Sequence, residues 1–394
     1  MSSTQTDVLV AGCGPVGLTA ALLCAARGLS VTAVDAEPED AIRPGSRAIF
    51  LHGVSVRTLS RADRALAEEI SGYGLTWSGK HTLWAGQTVY RKAYPPPAQP
   101  RKPPFISLSQ RDLEHRLRRS CLAAGVVLSW ETPVENVTVR PDHVELGSGH
   151  RAAFLIGADG ARSAVRAAIG ARLAGTRSPT SFLVVDVAGD HEIHQGERVF
   201  HYRHPAAGGR HVLIAPFRGG LRVDLQCRAA DDVADLTARV CDWIEPILPG
   251  VARPEITWTS RYRFDQAVAD RFVDPGLRVL LVGEAAHLFA PFGARGLNSG
   301  IADAAAATDA IVHSLAGNPR DTAITGYHTV RHAAALRNRA ATGQALHHLL
   351  ATGRGTRARQ RAAALAARHW QPAGAWLDRI PYGPRDAGIP GSPY

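Results

Sequence analysis

The chain has 394 residues, 45% of them hydrophobic and 20% charged. That balance excludes intrinsic disorder and gives length for two or three domains. No uncharged apolar stretch approaches the roughly 18 residues of a membrane span, and the net charge of +10 rests almost wholly on Arg, with Lys only at 80, 92 and 102.

The arginines are scattered apart from one cluster at 354–369, which reads as a solvated helix face, so no nucleic-acid partner is expected. The opening MSSTQTDVLVAG has no basic lead and no cleavage-like site, so no export is expected and the location is expected to be cytoplasmic. The five cysteines (13, 24, 121, 227 and 241) form no CxxC pair. They are expected to be free buried thiols, with no metal site.

DVLVA (7–11) predicts a short buried strand. It runs into Gly12-Cys13-Gly14-Pro15-Val16-Gly17 and then LTAALLCAARG, whose apolar spacing predicts a helix stopped near Gly28. SVTAVD (30–35) predicts a second strand ending in Asp35, 18 residues past the last glycine. Strand, G-x-G-x-x-G turn, helix and acid-ended strand together predict a dinucleotide site. Gly12, Gly14 and Gly17 permit the tight turn and the close approach of a pyrophosphate to the helix N-terminus, and Asp35 accepts ribose hydroxyls.

From 76 to 104 the pattern loosens, and YPPPAQPRKPP (94–104) predicts a loop, because proline lacks the N–H that regular elements need. SQRDLEHRLRRSCLAAG (109–125) predicts a helix capped by Ser109 and stopped by Gly125. AFLIGADGARSAVRAAIG (153–170) predicts strand, tight turn and helix again. Across Gly219-Gly220, the alternation of Leu221, Val223, Leu225 and Cys227 predicts a hairpin within 211–227. The block from 180 to 263 is therefore expected to be an antiparallel sheet inserted between parts of a dinucleotide fold. RVLLVGEAAHLFAPFGARGLNSG (278–300) predicts a buried strand ending in Glu284, a Pro/Gly bend, and an Ala-rich helix. Helices are expected on to about 352, and a loop over 380–394.

Three signatures stand in order: GCGPVG (12–17), GADGARSAVR (157–166) and GEAAHLFAPFGARGLNSG (283–300). Together they resemble the class A flavoprotein monooxygenases, the p-hydroxybenzoate hydroxylase-like aromatic hydroxylases. RAIFLHGVSVRTL (47–59) is similar to their phenylpropionate- and polyketide-hydroxylase branch. The resemblance covers roughly residues 1–345. It implies an α/β fold: a Rossmann-like FAD-binding domain (1–75, 103–178 and 264–345), an inserted sheet domain for substrate (76–102 and 179–263), and a C-terminal helical segment and tail (346–394). No thioredoxin-like C-terminal domain, such as some relatives carry, is expected in this sequence.

The resemblance also implies roles. Gly12, Gly14 and Gly17 would hold the FAD pyrophosphate, Asp35 the adenosine ribose, and Arg47 would neutralise phosphate charge. Gln110 would bond the flavin side of the cofactor, and Asp159 would order the pyrophosphate neighbourhood. Glu284 would accept from the ribityl chain. The 291–299 loop and the helix start after it, with Pro291, Gly293, Gly296, Leu297 and Asn298, would place backbone N–H groups near the pyrimidine edge of the flavin. His287 is implied to pack rather than act as a base. The Pro291 carbonyl is similar to one that faces substrate. Two departures stand out: Glu284 replaces the family's usual Asp, and Ala290 the first of two prolines.

The activity implied is hydroxylation of an aromatic small molecule by FAD, NAD(P)H and O2 through a flavin hydroperoxide. Epoxidation, Baeyer–Villiger insertion and N-hydroxylation on the same fold are the alternatives, with a non-enzymatic basic binding protein more remote. Tyr202, His211, Arg222 and Asp224 fall in the expected substrate sheet, and none is assigned as catalytic. NADH versus NADPH and the oligomeric state stay open.

Overall fold

The computed structural model describes residues 5–41, 48–96, 103–189, 196–248, 250–251, 253–351 and 353–382. The apolar runs at the three signatures become neighbouring strands of one sheet. Gln5–Ala11 pairs in parallel with Val31–Val34 on one side and with Arg151–Gly157 on the other, and Val279–Leu281 adds in parallel to the latter. Both faces are covered, which is why the runs read as continuously apolar: Val8 to Ala11 and Val279 to Leu281 are fully buried. Val127–Ser129, Val144–Glu145 and Thr138–Val139 bring this sheet to seven strands among the described residues.

Register decides the function of this sheet. Ala11 lies opposite Gly157, and Gly157 opposite Leu281. The three signature turns therefore leave the sheet side by side, at the carboxyl ends of parallel strands, where open α/β folds hold ligands. The helix Pro15–Ala25 packs between this sheet and the helices Gln110–Ala123 and Arg295–Leu315, and the 31-residue helix Arg320–Leu350 packs on Arg295–Leu315.

Among the described residues the second sheet has eight strands, in the order His287–Leu288, Ile256–Ala269, Leu173–Ala188, Gly220–Cys227, Arg210–Phe217, Glu197–His204, Gly79–Trp84 and Gln87–Ala93. The hairpin across Gly219 forms with Phe217 opposite Gly220. This sheet is mixed rather than purely antiparallel, because Glu197–His204 pairs in parallel with Gly79–Trp84. The long excursion between those strands contains much of the first sheet, and such a crossover permits parallel pairing. The strands Leu173–Ala188 and Ile256–Ala269 run continuously through positions 178 and 263, and the helix Arg320–Leu350 through 345. Part of the Pro-rich stretch and of the final loop lies outside the described residues. Residues 380–382, placed with that loop in sequence, form a turn of 3-10 helix.

Cys13, Cys24, Cys121 and Cys227 are buried free thiols, but Cys241 is exposed on the short helix Val240–Ile244. Among the described residues no helix is long and apolar enough to cross a membrane.

Candidate functional site

The glycine turn is built by contacts no side chain could share. A Cβ on Gly17 would stand 1.8 Å from the Gly12 carbonyl oxygen, whereas one on Gly14 would meet no heavy atom within 4 Å. Gly17 thus lets the helix pack against the turn, and Gly14 leaves the helix start open. The Pro15–Ala25 helix has no side-chain cap, so its first N–H groups face outward with the positive end of the helix dipole. Asp35 closes the turn from the second strand. Its Oδ2 accepts the Cys13 N–H at 2.5 Å and its Oδ1 the Glu37 N–H at 3.0 Å.

Asp159 follows the second strand of the set. Its Oδ2 accepts the Val165 N–H at 3.0 Å, while Oδ1 is buried with no hydrogen-bond partner among the described residues. Arg166 fastens this turn to the third by donating to the Ala285 carbonyl at 3.0 Å.

In the third turn, Gly283–Ala285 is one turn of 3-10 helix. The Glu284 side chain is solvent-exposed on a turn crowded by surrounding protein. This crowding raises its carboxyl above the usual carboxylate range, with His287 partly opposing. Beneath the turn, Asp303 accepts the Gly283 N–H at 3.1 Å, His287 Nε2 at 2.6 Å and Arg331 Nε at 2.6 Å. Burial would push Asp303 up, but Arg331 and His287 outweigh it and hold the carboxyl below its ordinary value. The His287 ring stacks on Phe289 with centroids 4.4 Å apart. His287 is thus engaged in packing and in this network.

The bend that follows is tightly folded. The Pro291 carbonyl accepts the Ala294 N–H at 3.1 Å. Gly293 and Ala294 both take left-handed conformations, φ +75° and +52°, and the helix Arg295–Leu315 then begins without a side-chain cap. Asn298 spends its whole amide on structure: Oδ1 accepts the His52 N–H at 2.9 Å and the Ser55 hydroxyl at 2.6 Å, and Nδ2 donates to Phe50 and Ala294 carbonyls at 2.9 and 2.7 Å. What this helix start can offer a ligand is backbone: Gly296 is open on its Cβ side, and Leu297 is half-buried. Arg295 is buried, donating to Asn338 Oδ1 at 2.9 Å and the Tyr382 carbonyl at 3.1 Å, and desolvation pushes its pKa down to about 10.

Gln110 opens the Gln110–Ala123 helix, where Nε2 donates to Glu114 Oε1 at 2.8 Å. Arg47 lies outside the described residues.

One face of the second sheet covers these turns. Tyr262 Oη donates to the Phe289 carbonyl at 3.4 Å, and Phe264 contacts Phe292 of the bend with ring centroids 5.4 Å apart. Arg222 grips Asp224 in a two-point pair, at 2.6 and 3.1 Å, and donates to the Ala48 carbonyl at 3.0 Å. Tyr202 and His211, grouped with that pair in sequence, instead anchor the helices Gln371–Arg379 and Arg320–Leu350, bonding the Leu377 and Leu349 carbonyls at 2.8 and 3.0 Å. Sequence reading missed Asp303, Arg295, Asn338 and Tyr382. Asp303 had a signal, being an acid within an otherwise small and apolar helix stretch; Arg331, among so many arginines, had none.

Two uncapped helix starts and the carboxylates of Asp35, Asp159 and Glu284 thus converge along one sheet edge. N–H groups suit phosphates and carboxylates suit hydroxyls, so this donor and acceptor set fits a nucleotide-bearing cofactor. Among the described residues no group of three His, Cys, Asp or Glu is placed to hold a metal.

Comparison with known proteins agrees with this geometry. The chain is 29% identical over 324 residues to a 3-(3-hydroxy-phenyl)propionate/3-hydroxycinnamic acid hydroxylase of Mycobacterium avium, covering 76% of this chain and 54% of that one. It is 30% identical over 312 residues to the 6-methylpretetramide 4-monooxygenase of Streptomyces rimosus, again covering 76% and 54%. The chain thus spans about half the length of these relatives. In fold it is similar to the crystal structure of p-nitrophenol 4-monooxygenase from Pseudomonas putida, with a TM-score of 0.78 at 22% identity over 97% of this chain and 99% of the other. A family model described as an FAD binding domain matches residues 5–342, and the chain belongs to that family.

Proposed function

We propose that the chain is an FAD-dependent monooxygenase that uses NAD(P)H and O2 to hydroxylate an aromatic small molecule. The observation that carries this reading is the shared register of Ala11, Gly157 and Leu281, which brings the three signature turns to one sheet edge beneath an aromatic-lined face. The FAD-binding part is assigned to 1–75, 103–178 and 264–345, the substrate sheet to 76–102 and 179–263.

Gly12, Gly14 and Gly17 would admit the pyrophosphate to the open helix start, with Arg47 supplying charge. Asp35 would accept ribose hydroxyls beside its bond to Cys13, and Asp159 Oδ1 would gain a donor it otherwise lacks. Glu284 would accept from the ribityl chain, and Gln110 would reach the flavin side by giving up its bond to Glu114. Backbone N–H groups of the Pro291–Asn298 segment, held in place by the Asn298 side chain, would face the pyrimidine edge. Bound FAD would supply the redox chemistry, taking electrons from NAD(P)H and activating O2. The chain's own work is to hold Glu284 in place through Gly283, Asp303 and His287, and to exclude water with Phe182, Tyr262, Phe264 and Phe292.

The test is NAD(P)H oxidation by the FAD-loaded protein against phenols, polyketide-like aromatics and aromatic amines under labelled O2. Oxidation that accelerates with one aromatic, and a product carrying one labelled oxygen, is the expected result. Label drawn from water, or two atoms incorporated, contradicts the proposal.

A further inference from the structure

The arginines at 354–369, which the sequence assigns to a solvated helix face, border a pocket of about 290 Å³. It lies between the helix Arg354–Ala366, the paired strands Gly79–Trp84 and Gln87–Ala93, and the strand Glu197–His204. None of its lining residues belongs to the three signature turns. The buried Val89 and Ala364 and the half-buried Trp84 give it an apolar interior. Arg203, Arg361 and Arg368 line it from exposed positions. No acid offsets them. The stretches 79–93, 198–210 and 354–377 contain neither Asp nor Glu. The acids that flank them, Glu197 and Asp378, are buried and paired with Arg91 and Lys80.

The charge of all three is uncommitted. The Arg203 and Arg361 side chains have no hydrogen-bond or ion-pair partner among the described residues, and Arg368 donates to the neutral Oε1 of Gln87. The backbone also holds Arg203 in place at a cost. Its φ is +57°, in the left-handed region, where the strand Glu197–His204 shifts register against Arg210–Phe217 between His201 and His204. Its N–H is anchored on His211 Nδ1 at 3.3 Å. Glycine would take this conformation freely. Irregularities of this kind re-aim a side chain, and the one placed here is a guanidinium lining the pocket.

We propose that this pocket binds a phosphate monoester carried on an apolar arm, with the arm against Trp84, Val89 and Ala364 and the phosphate on Arg203, Arg361 and Arg368. Such a phosphate brings a charge of about −1.5 to −2 at pH 7 and three acceptor oxygens. Guanidinium forks match those oxygens in pairs. A carboxylate, with one charge and two oxygens, leaves more of the three cations unmatched. A soluble ester and the phosphatidate headgroup of a membrane present this same chemistry.

The full chain is titrated calorimetrically with hexyl phosphate, inorganic phosphate and hexanoate. A second arm sediments it with phosphatidylcholine vesicles carrying phosphatidate, or phosphatidylserine at equal net charge. One equivalent of hexyl phosphate is expected to bind, at least about tenfold more tightly than inorganic phosphate, through the buried arm. The same margin of about tenfold is expected over hexanoate, through charge. Arg361→Gln and Arg203→Gly are each expected to weaken binding about five- to twentyfold, with FAD uptake unchanged. Arg203→Gly relieves the left-handed backbone, so its melting temperature is expected to be no lower than the parent's. Binding of phosphatidate vesicles alone, lost in both variants, upholds the site with the membrane headgroup as its source. Hexyl phosphate that binds no more tightly than inorganic phosphate or hexanoate overturns the proposal. So does binding that either variant retains in full, equal sedimentation with both anionic lipids, or no binding in either arm. A lower melting temperature of Arg203→Gly with binding unchanged makes Arg203 structural and overturns it as well. Each of these failures leaves the monooxygenase reading standing, because no residue of the pocket is assigned to the cofactor.

Discussion

His287 Nε2 meets Asp303 Oδ2 at 2.6 Å directly beneath the turn that carries Glu284. The same carboxylate takes Arg331 Nε at 2.6 Å and the Gly283 N–H at 3.1 Å. One buried acid thus ties the end of a strand to two helices. Asp303→Asn strands the buried Arg331 charge and is expected to destabilise the protein by about 3–5 kcal/mol, measured by urea unfolding. Asp303 is held below its ordinary value in the folded state, so its contribution is present above the unfolded pKa, about 3.9, and is lost as pH falls through the folded value. Loss of less than about 1 kcal/mol would mean that solvent reaches the network.

Asn298 is expected to behave as a structural pin. Asn298→Ala leaves the His52 N–H and the Ser55 hydroxyl without their acceptor, at about 1–3 kcal/mol for each group. Unfolding midpoints at unchanged m-value would register it, and Asn298→Asp, which keeps both acceptor positions, is expected to lose less.

How far the sequence reveals all this depends on how local the interactions are. The glycine turn, the strand to Asp35, the Ser109 cap and the Gly219 hairpin are set by residues within a few positions of one another, and each was legible. The strand Gly79–Trp84 was not. Its partners are Glu197–His204 and Gln87–Ala93, and its buried Lys80 and Thr82 are received by Asp378 of the helix Gln371–Arg379. A polar stretch satisfied from nearly 300 residues away carries no local period. The roles of Asn298 and Asp303 were hidden for the same reason. The glycines and acids were legible as a set, whereas the turn-to-turn bonds of Arg166 and Asp303 needed the register of three strands.

Ala294 occupies the left-handed region at φ +52°, a conformation that costs a residue with a Cβ about 1–2 kcal/mol. Ala294→Gly relieves this but gives the unfolded chain more freedom, worth about 0.5–1 kcal/mol in the other direction. A net gain of about 0.5 kcal/mol is expected in chemical denaturation. A loss would mean that the Ala294 methyl makes contacts worth more than the strain.

Acid sensitivity is expected well above the carboxylate range. His52, His211 and His348 are each pushed down to about 4, in every case chiefly by burial. Between the unfolded value of about 6.5 and pH 4 the unfolded chain binds the protons that the folded one refuses. Stability therefore falls as pH falls through that window, by about 1.4 kcal/mol per pH unit per histidine, or about 4 for all three. His211→Asn is expected to reduce the slope by about one third of that sum. A flat profile from pH 6.5 to 4.5 would contradict neutral burial of these rings.

The convergence of the three turns on one cofactor is tested most directly by titrating the purified, flavin-stripped protein with FAD. Saturable binding of one equivalent is expected, giving a yellow protein with bands near about 370 and 450 nm and releasing intact FAD on acid treatment. Glu284→Ala is expected to weaken that binding by about 1–3 kcal/mol, because a buried ribityl hydroxyl loses its acceptor. A folded protein that stays colourless and takes up no FAD would contradict the account.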